Sequence, residues 1–253
     1  MAEEKRVLCI GISGPSSSGK SLLTSHLSQV IPNTITIHQD DFYKVDIPIH
    51  PHKGEQHWDV PTSIRWEDFI SAIETTKHNP VQLDSKDATN GSLSNERLDE
   101  TRALLIKEGW NASTILIIVE GFLLFGSLDS DPYVSSSLQS TSSPTRERLL
   151  SLFDEMIFLT APYSILKARR ESRSGYIIEG GGWWKDPPGY FDEYVWPAYS
   201  NLHSYLFVDG DVSGIMKESS QTSELRRLHQ ISGEASPDQV SSQVLALLKN
   251  MKR

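Results

Sequence analysis

The sequence predicts an α/β fold with a central five-stranded parallel sheet and helices on both of its faces. Short apolar runs rich in β-branched residues alternate with segments of helical periodicity along the 253 residues, as they do in βα units. Hydrophobic residues make up 38% of the chain and charged residues 23%, a composition typical of globular domains. Strands joined by helical crossovers pair in parallel, and such sheets are covered on both faces.

The first half of the chain contains two predicted strands and two predicted helices. The strands span 7–12 and 34–37, and a helix over 20–30 lies between them and ends before Pro32. The second helix is predicted from four apolar residues that repeat with the spacing of one helical face: Trp66, Phe69, Ile70 and Ile73.

The second half is predicted to supply three more strands, at 115–119, 156–159 and 206–208. Pro162 is well placed to begin a helix that runs to about residue 173. Near the end of the chain, Ser236 and Gln239 have the spacing of a capping box. A helical apolar stripe follows this box: Val240, Val244, Leu247 and Leu248.

Composition and charge limit the classes of function. The 24 Lys and Arg against 33 Asp and Glu give a net charge of −9, which argues against nucleic-acid binding. One cysteine excludes an internal disulfide and a multi-cysteine zinc site, and no apolar stretch is long enough to span a membrane. We expect a single domain over residues 1–253, with insertions at 84–110 and 127–145, the first containing a helix at about 98–106.

The strongest motif lies between the first predicted strand and the first predicted helix. Eight residues, here called the phosphate loop, match the pattern G-x-x-x-x-G-K-[ST]: Gly14, Pro15, Ser16, Ser17, Ser18, Gly19, Lys20 and Ser21. Glycines let successive backbone N–H groups face phosphate oxygens, and the following helix adds its positive end. Lys20 would then reach the β- and γ-phosphates, and the Ser21 hydroxyl would bind Mg²⁺.

Acidic residues after two other strands indicate phosphoryl transfer. Glu120 follows the most apolar strand and suits a role in holding Mg²⁺. Asp40 and Asp41 follow the second strand, and either could accept the proton of an acceptor hydroxyl, although the pair could also simply cap a helical turn. The guanine-reading pattern Asn-Lys-x-Asp of a GTP switch does not occur in the chain.

Three arginines end the helix that follows Pro162. Arg169 and Arg173 share one helical face, and Arg170 lies between them. Arginines on a mobile cover can neutralise the charge of a transferred phosphoryl group, with the glycines at 180–182 as hinge material. The alternative is a solvated basic face.

Six segments occur in an order that resembles one family. They are Ile-Gly-Ile-Ser-Gly at 10–14, Gln-Asp-Asp-Phe-Tyr at 39–43, Trp-Asp-Val-Pro at 58–61, Glu-Gly-Phe-Leu-Leu-Phe at 120–125, Leu-Thr-Ala-Pro-Tyr at 159–163 and Pro-Gly-Tyr-Phe-Asp at 188–192. Together with Val-Trp-Pro at 195–197 and the three arginines, they resemble the nicotinamide riboside kinases, a branch of the uridine-kinase-like P-loop kinases. The resemblance implies a P-loop kinase fold with a lid at about 170–190.

The resemblance also implies an activity, the ATP-dependent phosphorylation of the ribose 5′-hydroxyl of nicotinamide riboside to nicotinamide mononucleotide. Asp40 and Lys20 would be the catalytic residues, and Ser21 and Glu120 would hold Mg²⁺. The nucleotide would be bound by the phosphate loop and by two further groups of residues: Arg169, Arg173, Val208, Asp209 and Gly210. The last three occupy the position where the family packs adenine.

The acceptor side is inferred from the same resemblance. The residues expected to bind the riboside are Asp40, Asp41, Phe42, Tyr43, Trp58, Asp59, Arg170 and Tyr176. Asp59 and Arg170 would hold the sugar, and Trp58 would lie against the cationic pyridinium ring, where stacking and cation–π attraction combine. Tyr176 is expected on the other face of that ring, and Trp183 or Trp184 could take its place.

Two other functions remain open from the sequence. One is a uridine kinase, a pantothenate kinase or another small-molecule kinase of the same superfamily. The other is a nucleotide-binding regulatory protein without catalysis. We expect a monomer in the cytoplasm with no membrane partner, and the sequence leaves the nucleus open as a second location. We do not expect His50, His52 and His57 to bind a metal, since they lack helical spacing.

Overall fold

The computed structural model describes residues 6–50, 53–80, 102, 110, 113–128, 144–177, 183–218 and 226–250. Its strands are β1 (Arg6–Ser13), β2 (Thr34–His38), β3 (Thr114–Glu120), β4 (Glu155–Thr160), β5 (Tyr176–Ile177), β6 (Trp183–Trp184) and β7 (Leu228–Ser232). Its helices are α1 (Lys20–Val30), α2 (Trp66–His78), α3 (Pro144–Ser151), α4 (Tyr163–Glu171), α5 (Trp196–His203) and α6 (Pro237–Asn250).

Five of the strands form one parallel sheet in the order β2-β3-β1-β4-β7, which confirms the predicted fold class. The phosphate loop leaves the end of the central strand β1. Pairing places Ile12 of β1 beside Glu120, and Glu120 beside His38 of β2. Three strands therefore deliver their last residues to one edge of the sheet, as parallel pairing requires.

The fifth strand was predicted at the wrong place. Residues 206–208 do not join the sheet: Leu206 ends one short 3₁₀ turn, Ser204–Leu206, and Val208 begins another, Val208–Gly210. Leu206 and Phe207 are apolar because they pack in the core, where Phe207 lies against Phe158. The true fifth strand, β7, lies at the sheet edge and buries only Ile231 fully, so its residues lack the apolar run that identifies a central strand.

Helices cover both faces of the sheet. On one face, Leu23 and Leu27 of α1 pack with Val244 and Leu248 of α6. On the other face, the fully buried Phe69, Ile70 and Ile73 of α2 pack with Leu149 of α3 and with neighbouring aromatic rings. The helical stripe predicted for α2 is thus confirmed by its burial.

The predicted capping box is also present at the start of α6. The backbone N–H of Gln239 donates to the Ser236 hydroxyl over 3.3 Å, and the Ser236 N–H donates to the Gln239 side-chain oxygen over 3.0 Å. Both bonds satisfy N–H groups that have no partner within a helix. The box directs the chain from the end of β7 into α6.

Several expectations fall outside the described residues. These are the helix at 98–106, the glycines at 180–182 and most of the insertions at 84–110 and 127–145. Trp110, at the end of the first insertion, is described and lies fully buried in the cluster beside α1. Within the described part of the chain, no helix combines the length and apolar character needed to cross a membrane.

Candidate active site

The phosphate loop takes the backbone shape that its glycines permit. Gly14 has φ +144°, and a Cβ atom there would lie 2.4 Å from the carbonyl oxygen of Leu159. Gly19 has φ +102° and immediately precedes α1, the first turn of which contains Lys20 and Ser21. Residues other than glycine rarely adopt these angles. The loop therefore brings backbone N–H groups and the positive end of α1 to one place, where an anion is stabilised.

Lys20 is buried within this loop, where its Nζ donates to the carbonyl oxygen of Pro15 over 3.1 Å. Burial lowers the pKa of Lys20, and the negative charges of Glu120 and Asp40 oppose that change. The carboxylates of Glu120 and Asp40 thus lie close enough to Lys20 to act on it electrostatically.

Glu120 ends β3 and accepts two hydrogen bonds on the same oxygen. Its Oε2 lies 3.3 Å from the Ser21 hydroxyl, which donates, and 3.0 Å from Nδ1 of His38. Burial acts to raise the pKa of Glu120, but the hydrogen bond from His38 and the charge of Lys20 outweigh it, so the pKa lies below its ordinary value. His38 was not identified from the sequence, because a histidine at a strand end matches no motif.

Asp40 lies in a 3₁₀ turn, Gln39–Phe42, directly after β2. Poor hydration in this concave site raises the pKa of Asp40 to about 6, and the charge of Glu120 adds to the rise. Its carboxylate hydrogen-bonds to none of the described residues. Asp41 is exposed as well, but it does not line the cavity described below, whereas Asp40 does, and the Asp41 backbone carbonyl accepts a bond from Arg65. Of the two aspartates, Asp40 is thus the one that the structure places beside the phosphate loop.

A cavity of about 440 Å³ opens beside these groups. The cavity is lined by the phosphate loop, by the ends of β2 and β3, by the segment after β2, by the end of α4 and the residues that follow it, and by β6. The lining residues are Ser16, Ser17, Lys20, Ser21, Asp40, Tyr43, Lys44, Val45, Gln56, Trp58, Asp59, Glu120, Phe122, Arg170, Arg173 and Trp184. Its volume lies in the range of small-molecule sites. Asp41 and Phe42, which were expected to bind substrate, are not among the lining residues.

Aromatic rings form one wall of this cavity. The Trp58 ring contacts Tyr43 edge-on with centroids 5.2 Å apart, and Trp184 lies 5.8 Å from Trp58 at 57°. Tyr176 pairs through its backbone with Trp184, although its side chain is outside the description. Of the two tryptophans proposed for the second ring face, Trp184 lines the cavity and Trp183 does not. Phe42 packs instead on Phe69 in the core.

Arg170 connects three parts of the site. Its guanidinium makes two bonds to Asp186, of 2.6 and 3.1 Å, and a third to the Ser16 hydroxyl, of 2.6 Å. Trp184 donates its indole N–H to the same Asp186 over 2.9 Å. Burial raises the pKa of Asp59, and the charge of Arg170 opposes that rise. The arginine therefore links the phosphate loop to the aromatic wall.

Arg169 and Arg173 reach a second cavity, of about 320 Å³, on the other side of the phosphate loop. Arg169 donates to the carbonyl oxygens of Ser17, over 3.4 Å, and Gly233, over 3.0 Å. The turn after β7 lines this cavity with Gly233, Ala235, Pro237 and Val240.

Val208, Asp209 and Gly210 line neither cavity, so the structure does not bring the residues expected at the adenine to the phosphate loop. Gly233, in the turn after the true last strand, lines the second cavity instead. Because β7 was missed in the sequence, the glycine that follows it could not be recognised as a strand-end residue.

The donor atoms present fit a magnesium ion. Ser21 and Glu120 offer hard oxygen ligands beside a phosphate loop, and Mg²⁺ in such sites takes one or two protein oxygens and completes its shell with phosphates and water. No cluster of three or more His, Cys, Asp or Glu able to hold a metal by itself occurs in the described part of the chain. His50 and His57 pack around Tyr194.

Comparison with known proteins identifies the family. A protein of Schizosaccharomyces pombe named nicotinamide riboside kinase is 34% identical over 217 residues, which is 83% of this chain and 85% of that protein. The chain belongs to the nicotinamide riboside kinase family. Its relatives of that name include one from Saccharomyces cerevisiae, 30% identical over 84% of each chain, and the human nicotinamide riboside kinase 1, 30% identical over 77% of this chain and 75% of that one.

No protein-family model matches the chain. A solved structure of thymidylate kinase from Candida albicans covers 99% of this chain and 94% of its own, at a TM-score of 0.40 and 15% identity. A TM-score and a sequence identity this low do not indicate a shared function.

Replacing Gly233 by alanine should weaken nucleotide binding on the order of tenfold or more, since small displacements in such sites are costly. A Cβ atom at residue 233 would lie 2.5 Å from the backbone oxygen of Ser18, so the phosphate loop must move. Gly126→Ala is the matched control, because a Cβ there meets its neighbours at 3.4 Å or more. Calorimetric titration with ATP measures the affinity of each variant. Equal affinities in the Gly233→Ala and Gly126→Ala variants would contradict a role in nucleotide binding for the close approach of residue 233 to Ser18.

Proposed function

We propose that this protein transfers the γ-phosphoryl group of ATP to the 5′-hydroxyl of nicotinamide riboside, which produces nicotinamide mononucleotide and ADP. One observation carries the proposal. A single cavity holds Lys20 of the phosphate loop, the carboxylate of Asp40 and the aromatic wall of Tyr43 and Trp58. A phosphate-binding lysine, a proton acceptor and a surface for a flat ring thus line the same cavity. Membership of the nicotinamide riboside kinase family supports the same substrate.

Asp40 acts as the general base in this proposal. It accepts the proton of the 5′-hydroxyl as the hydroxyl oxygen forms a bond to the γ-phosphorus, and the bond between that phosphorus and the β–γ bridging oxygen breaks to release ADP. Lys20 and Arg173 both line the cavity, and their positive charges stabilise the charge that spreads over the transferred group.

Ser21 and Glu120 are the residues that would hold Mg²⁺. When bound, the ion neutralises charge on the phosphate oxygens. The phosphate loop binds the same oxygens through backbone N–H groups.

The riboside is recognised by its ring charge and by its sugar. Trp58 presents an aromatic surface to the pyridinium cation, and such pairs gain about 0.5–2 kcal/mol beyond stacking. Asp59 lines the same cavity, and its carboxylate suits the ribose hydroxyls, as does the neighbouring Arg170. A neutral nucleoside such as uridine has the same sugar but no ring charge, so Trp58 favours the cation.

Asp40→Asn should reduce kcat by about 10²- to 10⁴-fold, the usual contribution of a general base. ATP affinity should change much less than kcat, because Asp40 makes no hydrogen bond to the phosphate loop and acts on Lys20 only through its charge. Asp41→Asn is the comparison variant, since Asp41 is exposed and does not line the cavity. A coupled assay of ADP release measures kcat. Losses of equal size in the two variants would contradict the assignment of the base.

The pH profile should follow the ionisation of Asp40. Its pKa is raised to about 6, so the carboxylate is mostly ionised at neutral pH and becomes protonated as the pH falls through 6. A protonated carboxyl cannot accept the hydroxyl proton, so kcat/KM should fall about tenfold per pH unit below that value. Rates measured between pH 5 and 8 test this, and a flat profile down to pH 5 would contradict it.

Trp58→Leu should weaken the binding of the cationic riboside more than the binding of a neutral nucleoside. Loss of cation–π attraction corresponds to an extra rise in KM of about 2- to 30-fold for nicotinamide riboside over that for uridine. Trp58→Tyr keeps an aromatic face and should restore most of the difference. Steady-state kinetics with both nucleosides provide the comparison, and equal losses for the two would exclude recognition of the ring charge.

A further inference from the structure

His38 is the last residue of β2, and the register of the sheet places it beside the last residue of β3, Glu120. Neighbouring residues in parallel strands point to the same face of the sheet. Nδ1 of the imidazole lies 3.0 Å from Oε2 of the glutamate. An ionised carboxylate only accepts hydrogen bonds, so Nδ1 carries the proton of this contact.

The contact orders a side chain that would otherwise have several rotamers. Glu120 is 8% exposed at its side chain, and both of its hydrogen bonds go to Oε2, from His38 and from Ser21. Among the described residues, none hydrogen-bonds Oε1, so that oxygen keeps its capacity to bind another group. Of the two donors to Oε2, Ser21 is itself a proposed magnesium ligand and His38 is not.

The same imidazole lies two residues before Asp40, in the chain that turns from β2 into the cavity. Asp40 and Glu120 repel each other, and their separation depends on where each carboxylate is held. A donor that fixes Glu120 from the β2 side keeps the two negative charges in separate places. Partners of this kind orient metal ligands, and their loss typically costs 10- to 100-fold in metal affinity or activity.

We propose that His38 is a positioning residue of the phosphoryl transfer, because its Nδ1–H holds Glu120 in the orientation that binds the magnesium of Mg·ATP. The proposal rests on the function proposed above. It assigns no proton transfer to His38 and no contact with the riboside.

The test compares three substitutions of His38. Asparagine places an amide N–H₂ at the same number of bonds from Cα as Nδ1, so His38→Asn retains the donor. Glutamine places it one bond further out, at the position of Nε2, and leucine removes it. Thermal unfolding of each variant shows whether the fold is retained, and the matched pair of Asn and Gln decides the question if the Leu variant does not fold.

Two quantities are measured for each protein. One is kcat with nicotinamide riboside and Mg·ATP. The other is independent of turnover, the ratio of ATP affinities measured by calorimetry with Mg²⁺ and with EDTA. This affinity ratio remains informative if the wild-type protein phosphorylates another acceptor. It therefore separates failure of this inference from failure of the proposed function.

We expect His38→Leu and His38→Gln to lower kcat by about 10- to 100-fold and to reduce the affinity ratio by a similar factor. The affinity for ATP in EDTA and the KM for the riboside should stay near wild type, and His38→Asn should stay within about threefold of wild type. A wild-type affinity ratio in the Leu variant would overturn the proposal. So would equal losses in the Asn and Gln variants, since the ring volume and not the N–H group would then matter.

Discussion

Parallel pairing between β1, β2 and β3 determines where every reacting group of this site lies. Ile12 pairs with Glu120, and Glu120 pairs with His38, so three strands end at the same level. The chain leaves β1 as the phosphate loop and leaves β2 as the turn that carries Asp40. Side chains far apart in sequence thus come within hydrogen-bond distance, as for Ser21 and Glu120.

That arrangement has an electrostatic consequence. Two carboxylates and one ammonium group share a poorly hydrated edge of the sheet, and each alters the proton affinity of the others. The pKa of Glu120 is lowered because His38 and Ser21 donate hydrogen bonds to its carboxylate and Lys20 lies nearby, whereas desolvation and the charge of Glu120 raise the pKa of Asp40 to about 6. The two acids therefore differ in the way that their proposed roles require, one as a metal ligand and one as a base near neutral pH.

The sequence was most informative where a motif dictates backbone shape or where apolar residues repeat regularly. The phosphate loop, the apolar strands β1 and β3 and the stripe of α2 were all predicted correctly for that reason. β7 was not, because an edge strand buries few side chains and Leu206–Phe207 offered a stronger apolar pattern elsewhere. For the same reason the turn at Gly233, which lines the cavity beside the phosphate loop, was not recognised.

The hydrogen-bond partners of the arginines and of His38 could not be predicted from the sequence. The three arginines are neighbours at one helix end, yet Arg170 binds Asp186 and Ser16 while Arg169 binds backbone oxygens of Ser17 and Gly233. His38 has no motif to mark it, and its role depends on the register between β2 and β3. Such partners depend on the packed structure, which local sequence patterns do not encode.

In the proposed function, the cavity accepts a cationic nucleoside beside the phosphate of ATP. The most direct measurement is the initial rate of ADP release with nicotinamide riboside and with uridine, side by side under Mg·ATP, with phosphorus NMR to locate the new phosphate. We predict a kcat/KM at least about tenfold higher for nicotinamide riboside and a phosphate on its 5′-oxygen. Faster phosphorylation of uridine, or a phosphate at another position, would contradict it.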